Sequence, residues 1–242
     1  MKNGQRSTKR QVLAAVGIVL LGFAVSAVIL FNPFRAEKAE EKQPETLYAV
    51  SFFGYDGELI EKQNVREGAP ARPPTPEKAG YIFKGWSIPL YSVTADAEAY
   101  PDYVLAGDAK NVLYANAVYA DSGGDIRVPV KIDGTVDCTG FTVRLEYDGK
   151  LLEFLSAENA VSGLTAEIPE DGVLKLTRSS DSALSEPGTL AELVLRCRSG
   201  GAYKTKISLK AEEIYTVHNG TEVFTDSTAY DTWLYLFDYE KE

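Results

Sequence analysis

Few residues in this chain have types suited to chemistry. There is a single histidine, His218, and there are two cysteines, Cys138 and Cys197. His218 stands beside Asn219-Gly220, a turn signal, where an imidazole is solvated. Two thiols have no zinc-site spacing. Cys197 alternates with Leu193 and Leu195 and reads as a small core side chain. In an exported chain a Cys138–Cys197 disulfide is the alternative. Acids are plentiful, with 35 Asp and Glu against 25 Lys and Arg. Glycoside hydrolysis, however, needs two carboxyls facing each other across a cleft. Glu212-Glu213 and Glu170-Asp171 read as solvated or turn residues. No G-x-S-x-G elbow, P-loop, H-E-x-x-H or Rossmann glycine pattern occurs. The sequence predicts no enzyme, no catalytic residue, no metal and no cofactor.

One pattern points to recognition instead. Trp233, Tyr235 and Phe237 alternate with Leu234 and Leu236. In a strand the three aromatic rings share one face. Such a row stacks on sugar rings or anchors a protein partner. A closing strand buried on both faces is the structural alternative.

The elements that must position such a surface begin with an address. The apolar run that opens at Val12 and closes at Phe31 has Ser26 as its one polar side chain and carries no charge. A helix of this length matches the hydrocarbon thickness of a bilayer, so residues 11–31 are expected to form one transmembrane signal-anchor helix. Lys2, Arg6, Lys9 and Arg10 precede it; Arg35, Lys38 and Lys42 follow it among acids. This bias places residues 1–10 in the cytoplasm and the chain beyond the span outside the cell membrane. A cleaved signal peptide is the alternative, although typical apolar regions of such peptides are shorter. Residues 32–46 are charged and read as a spacer. The net charge of −10 argues against nucleic acid or anionic lipid as a partner.

Everything beyond the spacer reads as mainly β. Tyr48, Val50 and Phe52 alternate with other residues, Asp56-Gly57 marks a turn, and prolines 73, 74 and 76 force extended chain. Gly80-Tyr81-Ile82-Phe83-Lys84-Gly85-Trp86 supplies large rings flanked by glycines, and a final strand over 112–119 is expected to close a unit at 47–120. Asp121-Ser122-Gly123-Gly124 reads as a flexible joint over 121–124. A second unit, 125–239, shows around nine short strands at regular spacing, which suggests a sandwich or jelly roll. No run of ten or more residues has a helical period, which disfavours a βαβ sheet.

Both units resemble known families. The order Tyr48-x-Val50-x-Phe52, Asp56-Gly57, Val65-x-x-Gly68, Pro73 to Pro76, Gly80-Tyr81-x-Phe83-x-Gly85-Trp86, Leu113-Tyr114-Ala115 and Tyr119 is similar to the internalin-B-type B repeat. That resemblance implies a small β-grasp-like, non-catalytic surface module. The connection over 88–110, with Tyr91, Tyr100 and Tyr103, departs from the family pattern. The second unit resembles the cohesin domain through Asp125-Ile126-x-Val128-Pro129-Val130, Gly140-Phe141-x-Val143-x-Leu145-x-Tyr147-Asp148, Leu152-Glu153-Phe154, Gly188-Thr189-Leu190-Ala191-x-Leu193 and Ile207-Ser208-Leu209. This resemblance implies a nine-stranded jelly roll that binds dockerin modules on secreted enzymes, often glycoside hydrolases. The chain is therefore expected to be a membrane-anchored bacterial cell-surface adaptor for a protein module such as a dockerin on a polysaccharide-degrading enzyme. Carbohydrate binding by the same fold, or a surface adhesin or spacer without a small ligand, are the alternatives.

Overall fold

Asn-Gly and Asp-Gly steps alternate along this chain with runs of β-branched and aromatic residues, a pattern that favours short antiparallel strands over helices. The computed structural model describes residues 45–107, 110–134 and 136–238. The expected tail, transmembrane helix and most of the spacer lie outside the described residues. No helix occurs among the described residues, so none there is long and apolar enough to cross a membrane.

The proximal part contains β1 (Leu47–Phe53), β2 (Leu59–Arg66), β3 (Tyr81–Trp86), β4 (Ala97–Ala99) and β5 (Pro101–Leu105). β1 pairs with β2 antiparallel and with β4 parallel. β3 and β5 form a separate antiparallel pair. The family-discordant connection thus carries two strands, and its Leu90 and Val93 are buried in the core with Val50, Phe52, Phe83 and Trp86. The proline-rich stretch is held by Trp86, whose indole Nε1 donates to the carbonyl of Pro74 at 3.2 Å.

The distal part is a β-sandwich. Its strands are β6 (Asn111–Tyr114), β7 (Val118–Asp121), β8 (Asp125–Gly134), β9 (Cys138–Glu146), β10 (Leu152–Glu158), β11 (Leu164–Glu170), β12 (Val173–Leu184), β13 (Gly188–Cys197), β14 (Tyr203–His218), β15 (Thr221–Phe224), β16 (Ser227–Ala229) and β17 (Thr232–Phe237). One sheet runs β10-β13-β8-β6-β16 and the other β11-β12-β9-β14-β17-β7, with β15 paired to β14. Ile126, Val128, Val130 and Ile132 of one sheet and Phe141, Val143, Leu145, Leu174 and Leu176 of the other fill the space between them. The alternation read from the sequence is what delivers this set to one side of each strand.

Two expectations are corrected. The strand over 112–119 does not close the proximal unit. It breaks at 115–117 into β6, which pairs with β8 and β16, and β7, which pairs with β17. The physical reason is burial: Leu113 and Ala115 belong to the sandwich core, whereas Val112 packs with Ile82 and Ala106 on the other side. In consequence Ser122-Gly123 forms a tight turn between β7 and β8, each paired to another strand, with Gly123 N donating to Asp121 Oδ1 at 2.8 Å, and the described residues from Glu45 onward form one compact unit. The stretch 121–124 is therefore held at both ends by strand pairing rather than being a flexible joint. The sandwich also contains one long strand, β14, bulged between Ala211 and Glu213.

Candidate binding surfaces

The outer side of the second sheet is built in rows. Residues paired across antiparallel strands project to the same side. Thr165 pairs with Thr177 and Thr177 with Thr142, a ladder of hydroxyls crossing β11, β12 and β9, which Glu213 extends onto β14 as a carboxylate. On one flank of it Glu167, Lys175, Arg144 and Lys210 form a row with three cations. Arg144 bonds Glu146 at 2.9 Å and Glu170 at 3.1 Å, and the Glu146 hydrogen bond in particular holds its pKa above the ordinary value. On the other flank Ser179, Gly140, Tyr215 and Phe224 line up across β12, β9, β14 and β15. Tyr215 lies across Gly140, where a Cβ would meet the phenol ring at 2.2 Å. Phe224 meets Tyr215 edge to face at 5.9 Å and is 60% exposed. The β14–β15 turn that places Phe224 has Asn219 at φ 50 and Gly220 at φ 77, the left-handed pair expected of that dipeptide. His218 stands exposed at this turn.

The aromatic row of β17 has a different setting. Leu234 and Leu236 are fully buried in the sandwich core. Trp233, Tyr235 and Phe237 lie on the opposite face of the strand, and there Tyr235 packs against the proximal core. Phe237 is buried in the proximal core. Tyr235 stacks on Tyr119 of β7, with ring centroids 4.4 Å apart and planes 5° from parallel. Trp233 is half-buried, and the Lys204 ammonium lies 4.7 Å from its ring centroid and 5.1 Å from that of Tyr235. Beside this row opens a cleft of 530 Å³, lined from the proximal side by Trp86 to Tyr91 and from the distal side by Ala202 to Lys204, Tyr235 and Phe237. Of the tyrosines in the 88–110 connection, Tyr100 stacks on Phe53 and Tyr103 packs on Phe83, while Tyr91 is exposed at this cleft.

No protein-family model and no curated protein matches the chain. Solved structures do. The chain is similar to the seventh ScaB type I cohesin from Pseudobacteroides cellulosolvens, with 12% identity over 53% of this chain and 93% of that one, at a TM-score of 0.48. A non-cellulosomal cohesin from the archaeon Archaeoglobus fulgidus is 21% identical over 53% of this chain and 91% of that one, at 0.44. A chain of a type I cohesin–dockerin complex from Clostridium thermocellum is 13% identical over 53% of this chain and 99% of that one, at 0.47.

Other chemistry is sparse. Among the described residues no group of three or more His, Cys, Asp and Glu side chains is placed to hold a metal ion. Cys138 and Cys197 are buried free thiols, so the alternative disulfide is not formed. Burial raises the Cys138 pKa, opposed by the nearby Arg178 charge. Arg178 is the functional-looking residue that sequence reasoning missed. It is only 2% exposed, and its guanidinium donates to the carbonyls of Ser162 at 2.9 Å, Thr139 at 2.6 Å, Cys138 at 3.3 Å and Ser182 at 2.7 Å. The signal was present: Arg178 continues the inward phase of Leu174 and Leu176. With four of its five N–H groups bonded to backbone carbonyls and almost no exposure, it fastens one end of the sandwich.

Proposed function

We propose that this chain is a membrane-tethered surface adaptor whose cohesin-like sandwich docks a dockerin-type protein module on the outer side of β11-β12-β9-β14, with the β15 hairpin as its aromatic end. The carrying observation is the graded surface itself: a basic row, a threonine ladder, then Tyr215 with the exposed Phe224. Interfaces bind through a few desolvated aromatic or Arg anchors surrounded by near-neutral polar contacts, and this surface has that composition. The resemblance of Tyr147-Asp148, Leu152-Glu153-Phe154 and Gly188 to Leu193 to cohesin motifs supports the choice of partner. The apolar run from Val12 to Phe31 supports tethering, with the proximal B-repeat-like part standing between bilayer and sandwich.

Affinity capture with the full-length chain from culture supernatant of the source cells tests the partner. Recovery of dockerin-bearing enzymes is expected, and their release by a calcium chelator, because a dockerin fold depends on paired calcium loops. Capture of no dockerin-bearing protein would sink the reading. Phe224→Ala is expected to weaken binding by about 30-fold, as at a typical anchor residue. Protease treatment of intact cells tests the tether: residues beyond the span should be digested, and their protection would reverse the orientation.

A further inference from the structure

We propose a second ligand site, distinct from the docking face: the cleft beside the Tyr119–Tyr235 stack binds an acidic saccharide, a glycan carrying uronate sugars. Three observations on this cleft converge. Its volume of 530 Å³ falls in the range of small-ligand sites. Its lining contains no Asp or Glu, although the whole chain has 35 acids and a net charge of −10. Its one charged lining residue is Lys204. The Lys204 ammonium rests on the faces of Trp233 and Tyr235, and among the described residues it forms no ion pair with a carboxylate. An anion is the complement of a cation held over ring faces, where the other groups at hand are π-systems and hydroxyls.

The neutral part of the lining argues for a sugar. Tyr91 is 60% exposed on the rim. A tyrosine ring in that position offers an apolar face for the C–H side of a pyranose and a hydroxyl for its rim. Ser87 Oγ accepts from Tyr100 N at 3.0 Å, which leaves its own proton to donate to a sugar hydroxyl. Tyr203 is anchored through its hydroxyl to the Gly200 carbonyl at 3.0 Å, so its ring is held in place before ligand arrives. The wall behind is tightly packed, since Trp86 and Phe237 are buried in the proximal core and Tyr119 packs against it. The site exists only because β7 and β17 pair, which brings the proximal connection against the β14 end of the sandwich.

Calorimetric titration of the full-length chain in detergent micelles with a galacturonate trisaccharide tests this, with the neutral galactose trisaccharide and an acidic tripeptide as comparisons. Saturable binding of the uronate is expected, at least about tenfold tighter than the neutral sugar and falling with added salt. Lys204→Met keeps the aliphatic stem and should lose about tenfold; Tyr91→Ala should lose a similar factor. Both side chains are exposed, and unchanged melting temperatures show that the variants fold. Phe224→Ala should leave saccharide binding unchanged, which separates this site from the docking face. Absence of saturable uronate binding, equal binding of the neutral sugar or the peptide, or unaltered affinity in both variants would overturn the assignment.

Discussion

Tyr119 of β7 and Tyr235 of β17 stack face to face with centroids 4.4 Å apart, and both hydroxyls reach the backbone of β3. Tyr119 Oη accepts from Trp86 N at 3.0 Å, and Tyr235 Oη donates weakly to the Lys84 carbonyl at 3.5 Å. One ring pair therefore ties the proximal core to the last strand of the sandwich. Lys84, which donates to the Asp231 carbonyl, and Lys131, 2.7 Å from Glu77, tie the same two parts elsewhere.

The glycine inside the Gly-Tyr-x-Phe-x-Gly-Trp motif follows from this contact. Gly85 has φ +144, and a Cβ there would lie 3.0 Å from Tyr235 Oη and 3.1 Å from Tyr119 Oη. Gly85→Ala should destabilise the chain by about 1–3 kcal/mol through backbone strain and displacement of the ring pair. Thermal unfolding measures it; a melting temperature equal to the parent's would show that the stack is slack.

Arg178 should matter more than any surface cation. Arg178→Met leaves the carbonyls of Ser162, Thr139, Cys138 and Ser182 without their shared donor. The expected loss is about 3 kcal/mol, since an unsatisfied buried carbonyl costs on the order of 1–3 kcal/mol and those of Cys138 and Thr139 are buried. Urea unfolding checks it. By contrast Arg196→Met, which removes an exposed pair with Asp125, should change stability by less than about 1 kcal/mol.

Stability should fall in alkali. Burial, the largest cause, raises Tyr103, Tyr114 and Tyr147 above their ordinary value of 10.0. Above pH 10.0 the unfolded chain has released phenol protons that the folded chain still binds, so stability is lost as pH rises through the folded values. Lys84 acts in the opposite sense. Burial lowers it from 10.5, against the attraction of Asp231 and Asp102. The unfolded chain then holds its proton more tightly, and the penalty is relieved as pH climbs toward 10.5. Urea midpoints across the alkaline range should show a net decline beginning near pH 10, which Lys84→Met steepens by removing the compensating rise. A flat profile would contradict the burial of the three phenols.

The thiols should be free and slow. Without reductant, denatured protein should titrate as two thiols, Cys138 and Cys197. In the native state Cys138 should react with a disulfide reagent far more slowly than after unfolding, because burial both shields it and raises its pKa. A chain without thiols before reduction would show a bridge instead.

Much of the sandwich is legible in the sequence. The alternation of Ile126, Val128, Val130 and Ile132, and of Phe141, Val143 and Leu145, needs no tertiary information, because a strand sends successive side chains to opposite faces. The Asn219-Gly220 hairpin is equally local, since that dipeptide accepts the positive φ its turn requires. The same rule separates Trp233, Tyr235 and Phe237 from Leu234 and Leu236. What it leaves open is which row meets a partner inside the molecule.

That decision is made by pairing between distant segments. β7 joins β17 and β6 joins β16, both in parallel, across more than half of the sandwich's length in sequence. No turn signal announces a parallel pair, because the strands it joins are not linked by a hairpin. The same applies to Arg178, whose partners lie on separate loops and strands, and to the cleft, whose two walls come from residues 86–91 and 202–204. The sequence by itself thus determined strand identity, face and turn, all consequences of neighbouring residues. Only the tertiary structure decided that Ser122-Gly123 is a held turn, that Phe237 is core, and that Lys204 and Tyr91 share a cleft, because each depends on which remote strand completes an unpaired edge.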